Sequence, residues 1–420
     1  MKIRTPVVLA ILVLTSATGA APPETPLKPN VLLILADDMG FSDLGCFGGE
    51  IATPNLDRLA ANGLRYSQFY NTARCWPSRA AIMTGYYAQQ VNRDPARTRP
   101  GWAALLPQLL RTAGYRSYHS GKWHIDGPVL AGGFERSYLM EDYDRHFTPR
   151  KHKIDDKPLP PVKPKDGYYS TTAIADHAVD WLSEHEAKHK EEPFFLYLAF
   201  IAPHFPIQAP QEDIDRYRTR YAEGWDALRE ARRNRQKELG LLDAALSPRD
   251  PKTIPSWNLP EAELKKRIGP GEAGYAVAWD SLTAEQKAFQ ASKMAVHAAM
   301  VDRLDREVGK VLAKLESAGM MNETLILFAS DNGASAEEII RGDGHDPNAP
   351  AGADGTFLSL GPGWSTASNT PFRLHKSWNH EGGVTTPLIV HWPARIKSKG
   401  EFRRAPGHLI DVAPTLLELA

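Results

Sequence analysis

Four short, nearly unbroken apolar runs set the tightest limit on what this chain can fold into: Val31 to Leu35, Phe194 to Ile201, Thr324 to Ser330 and Pro387 to His391. Runs of this length without hydrophobic and polar alternation mark strands buried on both faces. Tyr115 to Ser120 is a fifth strand candidate, while Thr171 to Glu186 and Phe289 to Ser317 have helical spacing. Strands separated by helices predict an α/β fold with a mostly parallel central sheet flanked by helices. Ligands of such sheets collect beyond the carboxyl ends of the strands. Two runs lead there into polar pairs, Asp37 with Asp38 after the first and Asp331 with Asn332 after the third, so two sequence-distant strand ends are expected to meet.

Local punctuation adds smaller elements. Thr53 as N-cap, Pro54 and Gly63 bracket a helix over Asn55 to Asn62, and Gly114 ends one that begins near Trp102. Residues 211–292 are polar, rich in Arg and Glu and interrupted by Pro251, Pro255, Pro260 and Pro270, which reads as an insertion shaping the substrate mouth. Its basic run Arg229 to Lys237 reads as a solvated helix face. Gly342 to Asn369, rich in Gly, Pro and Ser, reads as a long functional loop.

A hydrophobic content of 42% and a charged content of 24% place the 420 residues among globular chains. Fifty basic residues balance fifty acidic ones, so no global field draws the chain to nucleic acid. Lys2 and Arg4 precede the apolar run Val7 to Leu14, and small residues follow through Ala21, which reads as a signal peptide over residues 1–21. Export to the periplasm or the medium follows, with no membrane span after cleavage, because no other stretch is apolar enough. Two cysteines, Cys46 and Cys75, form no disulfide framework, although one bridge stays open.

Asp37, Asp38, Asp331 and Asn332 offer only oxygen donors, which suits a hard cation such as Ca²⁺ or Mg²⁺ and not zinc. Cys75 precedes Pro77 and the segment Ala80 to Met83, so Pro77 sits in the first turn of a helix and Cys75 at its N-terminus. Free N–H groups there favour an anion, and the nearby Arg79 guanidinium is able to grip two oxygens at once. Taken singly, Lys122, Lys376, His124 and His204 read as ordinary surface or core side chains.

Cys75-Trp76-Pro77-Ser78-Arg79 resembles the signature of type I sulfatases, in which the cysteine is oxidised to formylglycine. Asp37-Asp38-Met39-Gly40, Gly121-Lys122-Trp123-His124, Ala202-Pro203-His204, Ser330-Asp331-Asn332-Gly333, Lys376 and Glu381-Gly382-Gly383 follow the family's order. Arg341 to Asp346 and Asn369 to Arg373 are most similar to bacterial arylsulfatases. The resemblance implies an alkaline-phosphatase-like catalytic domain over residues 29–420, with the family's smaller C-terminal subdomain truncated after the helical segment Val412 to Leu419. It implies one calcium ion held by Asp37, Asp38, Asp331, Asn332 and the modified Cys75.

By the same resemblance, Arg79 holds the aldehyde hydrate, Lys122 and Lys376 bind the sulfate oxygens, His124 assists the hydrate, and His204 protonates the leaving alcohol. One hydroxyl of the hydrate attacks sulfur while Asp331 accepts its proton; the other then collapses to the aldehyde and expels sulfate. The implied substrate is an aryl sulfate or a sulfated carbohydrate, and the implied partner a formylglycine-generating maturation enzyme. Two other readings fit the same residues: a phosphate or phosphonate monoester hydrolase of the superfamily, and a non-catalytic binder of sulfated ligands in which Cys75 stays a thiol. Arg74 and Trp76 are bulkier than the small residues common beside the family's cysteine, and they bear on its recognition by the modifying enzyme.

Overall fold

The computed structural model describes residues 28–420, so the signal peptide expected over residues 1–21 lies outside the described residues. Ten strands form one sheet, at whose centre Thr324–Ser330, Asn30–Ala36, Phe194–Ala199, Arg116–Gly121 and Arg136–Met140 run side by side and parallel. The strand Leu388–His391 joins Thr324–Ser330 antiparallel, so the expectation of a mostly parallel sheet holds with one reversal on that side. Leu64–Tyr66, Glu401–Arg403, His152–Ile154 and Lys157–Pro158 complete the edges; they are too short or too polar to stand out in the sequence.

Along Asn30–Ala36 the side chains alternate between two cores, which explains the lack of a polar position. Leu32, Ile34 and Ala36 pack into the core shared with Ser170–Lys188 and Ala284–Ser317, while Val31, Leu33 and Leu35 belong to the core shared with Leu106, Leu110 and Leu416. Fully burying each Leu or Ile here contributes about 1.5–3 kcal/mol.

Four local readings change. The helix expected from near Trp102 spans Leu106–Thr112, and Trp102 stands exposed in the turn before it. Thr53 precedes the helix Pro54–Ala61 without capping it; its hydroxyl accepts from Gly45 N and donates to Asp57, and the carboxylate of Asp305 takes the N–H groups of Asn55 and Leu56 instead. The basic run within Gly224–Glu238 is solvated on one side only: Glu230, Asn234, Arg235 and Lys237 are exposed, but Arg232 is fully buried between Asp43 and Glu50, partners far away in sequence. The expected loop 342–369 ends in a buried helix, Gly361–Ser368, seated by Trp364 against Trp225 and Trp279.

Candidate active site

The parallel strands deliver their chemistry to one end of the sheet. Ala36 and Ser330 are in register, so Asp37-Asp38 and Asp331-Asn332 leave neighbouring strands side by side, as the two polar pairs suggested. Met39 N–H donates to Ser330 Oγ at 3.1 Å, and Ser330 Oγ donates to the Asn332 carbonyl at 2.8 Å, which ties the two turns together. Lys122 follows Arg116–Gly121, and His204 lies just beyond Phe194–Ala199. Gly121 (φ 118°) permits the first of these turns, because a Cβ there would collide with the Ala199 carbonyl.

Cys75 opens the helix Cys75–Thr84 and is buried, with Pro77 in its first turn as expected. Both Cys46 and Cys75 are free, so no bridge joins them. The loop bearing Lys376 reaches the nucleophile loop through Ser377 N–H donating to the Ala73 carbonyl at 2.7 Å. Asn369 holds that loop in turn, accepting from Ala334 N at 2.9 Å and donating to the Leu374 carbonyl at 3.1 Å. A Cβ on Gly333 would collide with the Gly382 carbonyl, which accounts for the glycine after Asn332.

Backbone strain collects here as well. Of eight described non-glycine residues with positive φ, five are Asp38, Ala73, His124, Leu374 and Ser377, all in the site or its supporting loops. Such conformations cost on the order of 1–3 kcal/mol each and persist where the surroundings hold them for a purpose.

Four buried carboxylates, Asp37, Asp38, Asp331 and Glu337, face three buried cations. Arg79 donates through Nε to Asp331 Oδ2 at 2.9 Å and lies 3.5 Å from Asp37. Lys122 pairs with Asp37, and Lys376 bridges Asp38 at 2.9 Å and Glu337 at 3.2 Å. Burial opposes the ionisation of Asp37, but Lys122, His204 and Arg79 outweigh it and hold its carboxyl well below the usual range. Asp38 is pushed up to about 6 by burial, with Asp37 and Glu337 adding to the effect against Lys376. Burial and the Asp37 carboxylate raise Asp331 to about 7 despite Arg79 and Lys122. The Cys75 thiol is pushed up by burial, so as a thiol it is a poor nucleophile at neutral pH.

His204 donates from Nδ1 to the Phe205 carbonyl, which directs Nε2 toward Asp38 at 3.8 Å. His124 packs between Trp76 and Tyr143, and burial with Lys122 and Arg79 lowers it to about 2. Cys75, Lys122, His124, His204 and Lys376 line one cavity of about 450 Å³.

Asp37, Asp38 and His204 each bring a ligand atom within 4.8 Å of the others, a possible acidic metal site. The donor chemistry fits a hard cation: Asp37 Oδ1 and Asn332 Oδ1 are buried and accept no hydrogen bond, and Asp38 lies beside them, accepting from Asn332 Nδ2 at 2.6 Å.

Sequence reasoning had missed Glu337, which holds Lys376, Tyr143, whose ring lies 4.5 Å from Lys122 Nζ, and Tyr197, whose hydroxyl accepts from Arg79. None stands in a spacing that would have marked it.

The family model described as Sulfatase matches residues 29–420. An uncharacterised sulfatase of Schizosaccharomyces pombe is 34% identical over 94% of this chain and 75% of its own length. The arylsulfatase of Klebsiella aerogenes is 32% identical over 97% of this chain and 89% of its own length. Among solved structures, that of Ps i-CgsB in complex with k-i-k-neocarrahexaose superimposes with a TM-score of 0.62 at 25% identity, covering 93% of this chain and 72% of that one.

Proposed function

Since the chain belongs to the sulfatase family and is a sulfuric ester hydrolase with the alkaline-phosphatase-like fold, we propose that it hydrolyses sulfate monoesters with a formylglycine made from Cys75 and with one calcium ion. The observation that carries this reading is the placement of Cys75 at a helix N-terminus, in a cavity shared with Lys122, Lys376, His124 and His204, beside the four buried carboxylates.

Asp37, Asp38, Asp331 and Asn332 would hold the calcium ion, together with the modified residue 75; bound there it supplies a Lewis acid that polarises oxygen. The aldehyde hydrate supplies two hydroxyls on one carbon, one to attack and one to collapse. Arg79, fixed by Asp331, Asp37 and the Lys122 carbonyl, would hold the aldehyde hydrate at residue 75. Lys122 and Lys376 oppose the charge on the transferring sulfuryl group, an effect on the order of 3 kcal/mol per well-placed donor. Asp331, held in place by Arg79 Nε at 2.9 Å, would accept the proton of the attacking hydroxyl.

His204 presents Nε2 to the leaving oxygen. Burial and the nearby lysines hold it well below the usual histidine range against the pull of Asp37, so it rests neutral. The negative charge of a bound ester raises it again, which couples its proton to substrate binding.

The test is the mass of the tryptic peptide that begins at Cys75, measured alongside turnover of an aryl sulfate and an aryl phosphate. Aldehyde at residue 75 with preference for the sulfate is expected. An intact thiol in protein that turns over substrate would overturn the nucleophile, and preference for phosphate would overturn the substrate. We also propose export, checked by sequencing the N-terminus of the mature protein.

A further inference from the structure

Arg74 lies at the mouth of the cavity, one residue before the nucleophile and on extended backbone (φ −146°, ψ 151°). Its guanidinium is 4.4 Å from the Trp76 ring and 5.0 Å from the Trp257 ring, so two indoles hold it. Trp257 comes from the 211–292 segment and is itself fixed, since its Nε1 donates to Glu337 at 2.7 Å.

Most other charges of the mouth are engaged, Lys151 and Arg341 being exposed on its rim without an ion pair. Arg145 pairs with Asp142 at 2.7 Å and with Asp343 at 3.0 Å, Glu141 with Lys153 at 3.0 Å, and Glu337 with Lys376. Asp144 is opposed by Arg341, which in turn lies 5.5 Å from the Phe205 ring. Arg74 has no ion pair and its side chain makes no hydrogen bond among the described residues; its Nε is buried without a partner. Stacking fixes the plane of a guanidinium while leaving its donor edge free, the arrangement that grips an oxyanion by two bonds.

We infer that Arg74 is a specificity-determining residue that reads a second oxyanion, a sulfate or a carboxylate, on the leaving-group side of the substrate. The inference rests on the sulfate-ester reading of the same cavity. Trp76 and Trp257 are positioning residues for the guanidinium, and through Trp257 the 211–292 segment bears on the site.

The experiment compares kcat/KM for an aryl sulfate with a neutral ring against the same ester carrying a ring carboxylate or a second sulfate. The ratio cancels any difference in the fraction of matured enzyme. Wild-type protein is expected to prefer the dianionic esters, and Arg74→Gln to reduce that preference about 10- to 100-fold. Arg74→Lys should fall between, and Trp257→Ala should reduce the preference about 2- to 5-fold. A ratio unmoved by Arg74→Gln overturns the inference.

Calorimetric titration with an aryl monosulfonate and disulfonate, which needs no turnover, separates the two readings. Tighter disulfonate binding that is lost in Arg74→Gln, without ester hydrolysis by wild-type protein, would sink the hydrolase and keep the Arg74 site. Hydrolysis without any such binding difference would do the reverse.

Discussion

The cluster around Arg232 and the strand-end site both bury carboxylates against guanidinium groups, yet they complete their hydrogen bonds differently. Arg232 reaches Asp43 Oδ1 at 2.8 Å and both oxygens of Glu50, at 2.8 and 3.0 Å. Asp43 Oδ2 accepts from Gly40 N at 2.9 Å and is 3.0 Å from His297 Nε2, and Tyr221 closes on Glu50 at 2.8 Å. In the strand-end site Asp37 Oδ1, Asn332 Oδ1 and His124 Nδ1 are buried with no partner. A cluster whose carboxylate oxygens are all engaged, with only His297 Nδ1 left without a partner, holds the fold together; one whose oxygens stay open beside a cavity is built for something that arrives later.

Removing the nucleophile should separate the two most widely. Cys75→Ala is expected to lower aryl sulfate turnover on the order of 10⁴-fold or more, while the urea midpoint barely moves because only the small functional group at the end of residue 75 is lost. An equal loss of turnover and stability would show that Cys75 is structural. Arg232→Leu should do the opposite. It leaves Asp43 and Glu50 buried without their cation, a loss of about 3–5 kcal/mol. A urea midpoint equivalent to less than about 1 kcal/mol of change would refute the view that this cluster stabilises the fold.

The contrast also marks what a sequence reveals. The meeting of Asp37-Asp38 with Asp331-Asn332 was legible because unbroken apolar runs announce central strands, and parallel strands bring their carboxyl ends together. The burial of Arg232 was not. Its helix carries enough charge to look solvated, and its partners Asp43 and Glu50 lie nearly two hundred residues away, on a turn that no local pattern connects to it. Gly361–Ser368 was hidden for a related reason: its Gly, Pro and Ser composition suggests a loop, and only Trp225 and Trp279 turn it into a buried helix. Glu337 and Trp257 escaped because their importance lies in what they touch, Lys376 and Arg74, and not in their own spacing.

A ligand effect should appear at one cluster alone. If the open oxygens of the strand-end site bind calcium, the ion at about a hundred times its Kd stabilises the protein by about 2.7 kcal/mol, read as a rise in the thermal midpoint that a chelator reverses. Asp37→Asn should lose most of that increment, whereas Asp43→Asn should keep it. A calcium response of equal size in both variants would place the ion elsewhere.

The smallest effect tests the Arg232 cluster by acid. Burial raises the Asp43 carboxyl, but His297 and Arg232 outweigh it and bring it from an ordinary 3.8 down to about 2. A carboxyl held lower in the folded than in the unfolded chain stabilises the fold above its unfolded value, and that stability is lost as pH falls through the folded one. Asp43 should therefore contribute about 2 kcal/mol above pH 4 that disappears between about pH 4 and pH 2. Asp43→Asn costs stability at neutral pH by taking one of the two carboxylates from Arg232 and the carboxylate beside His297, yet it should flatten the decline across that window. Urea midpoints of wild type and variant at pH 5 and pH 3 supply the comparison. Parallel declines would mean that the acid lability comes from other carboxylates and that Asp43 gains little from its partners.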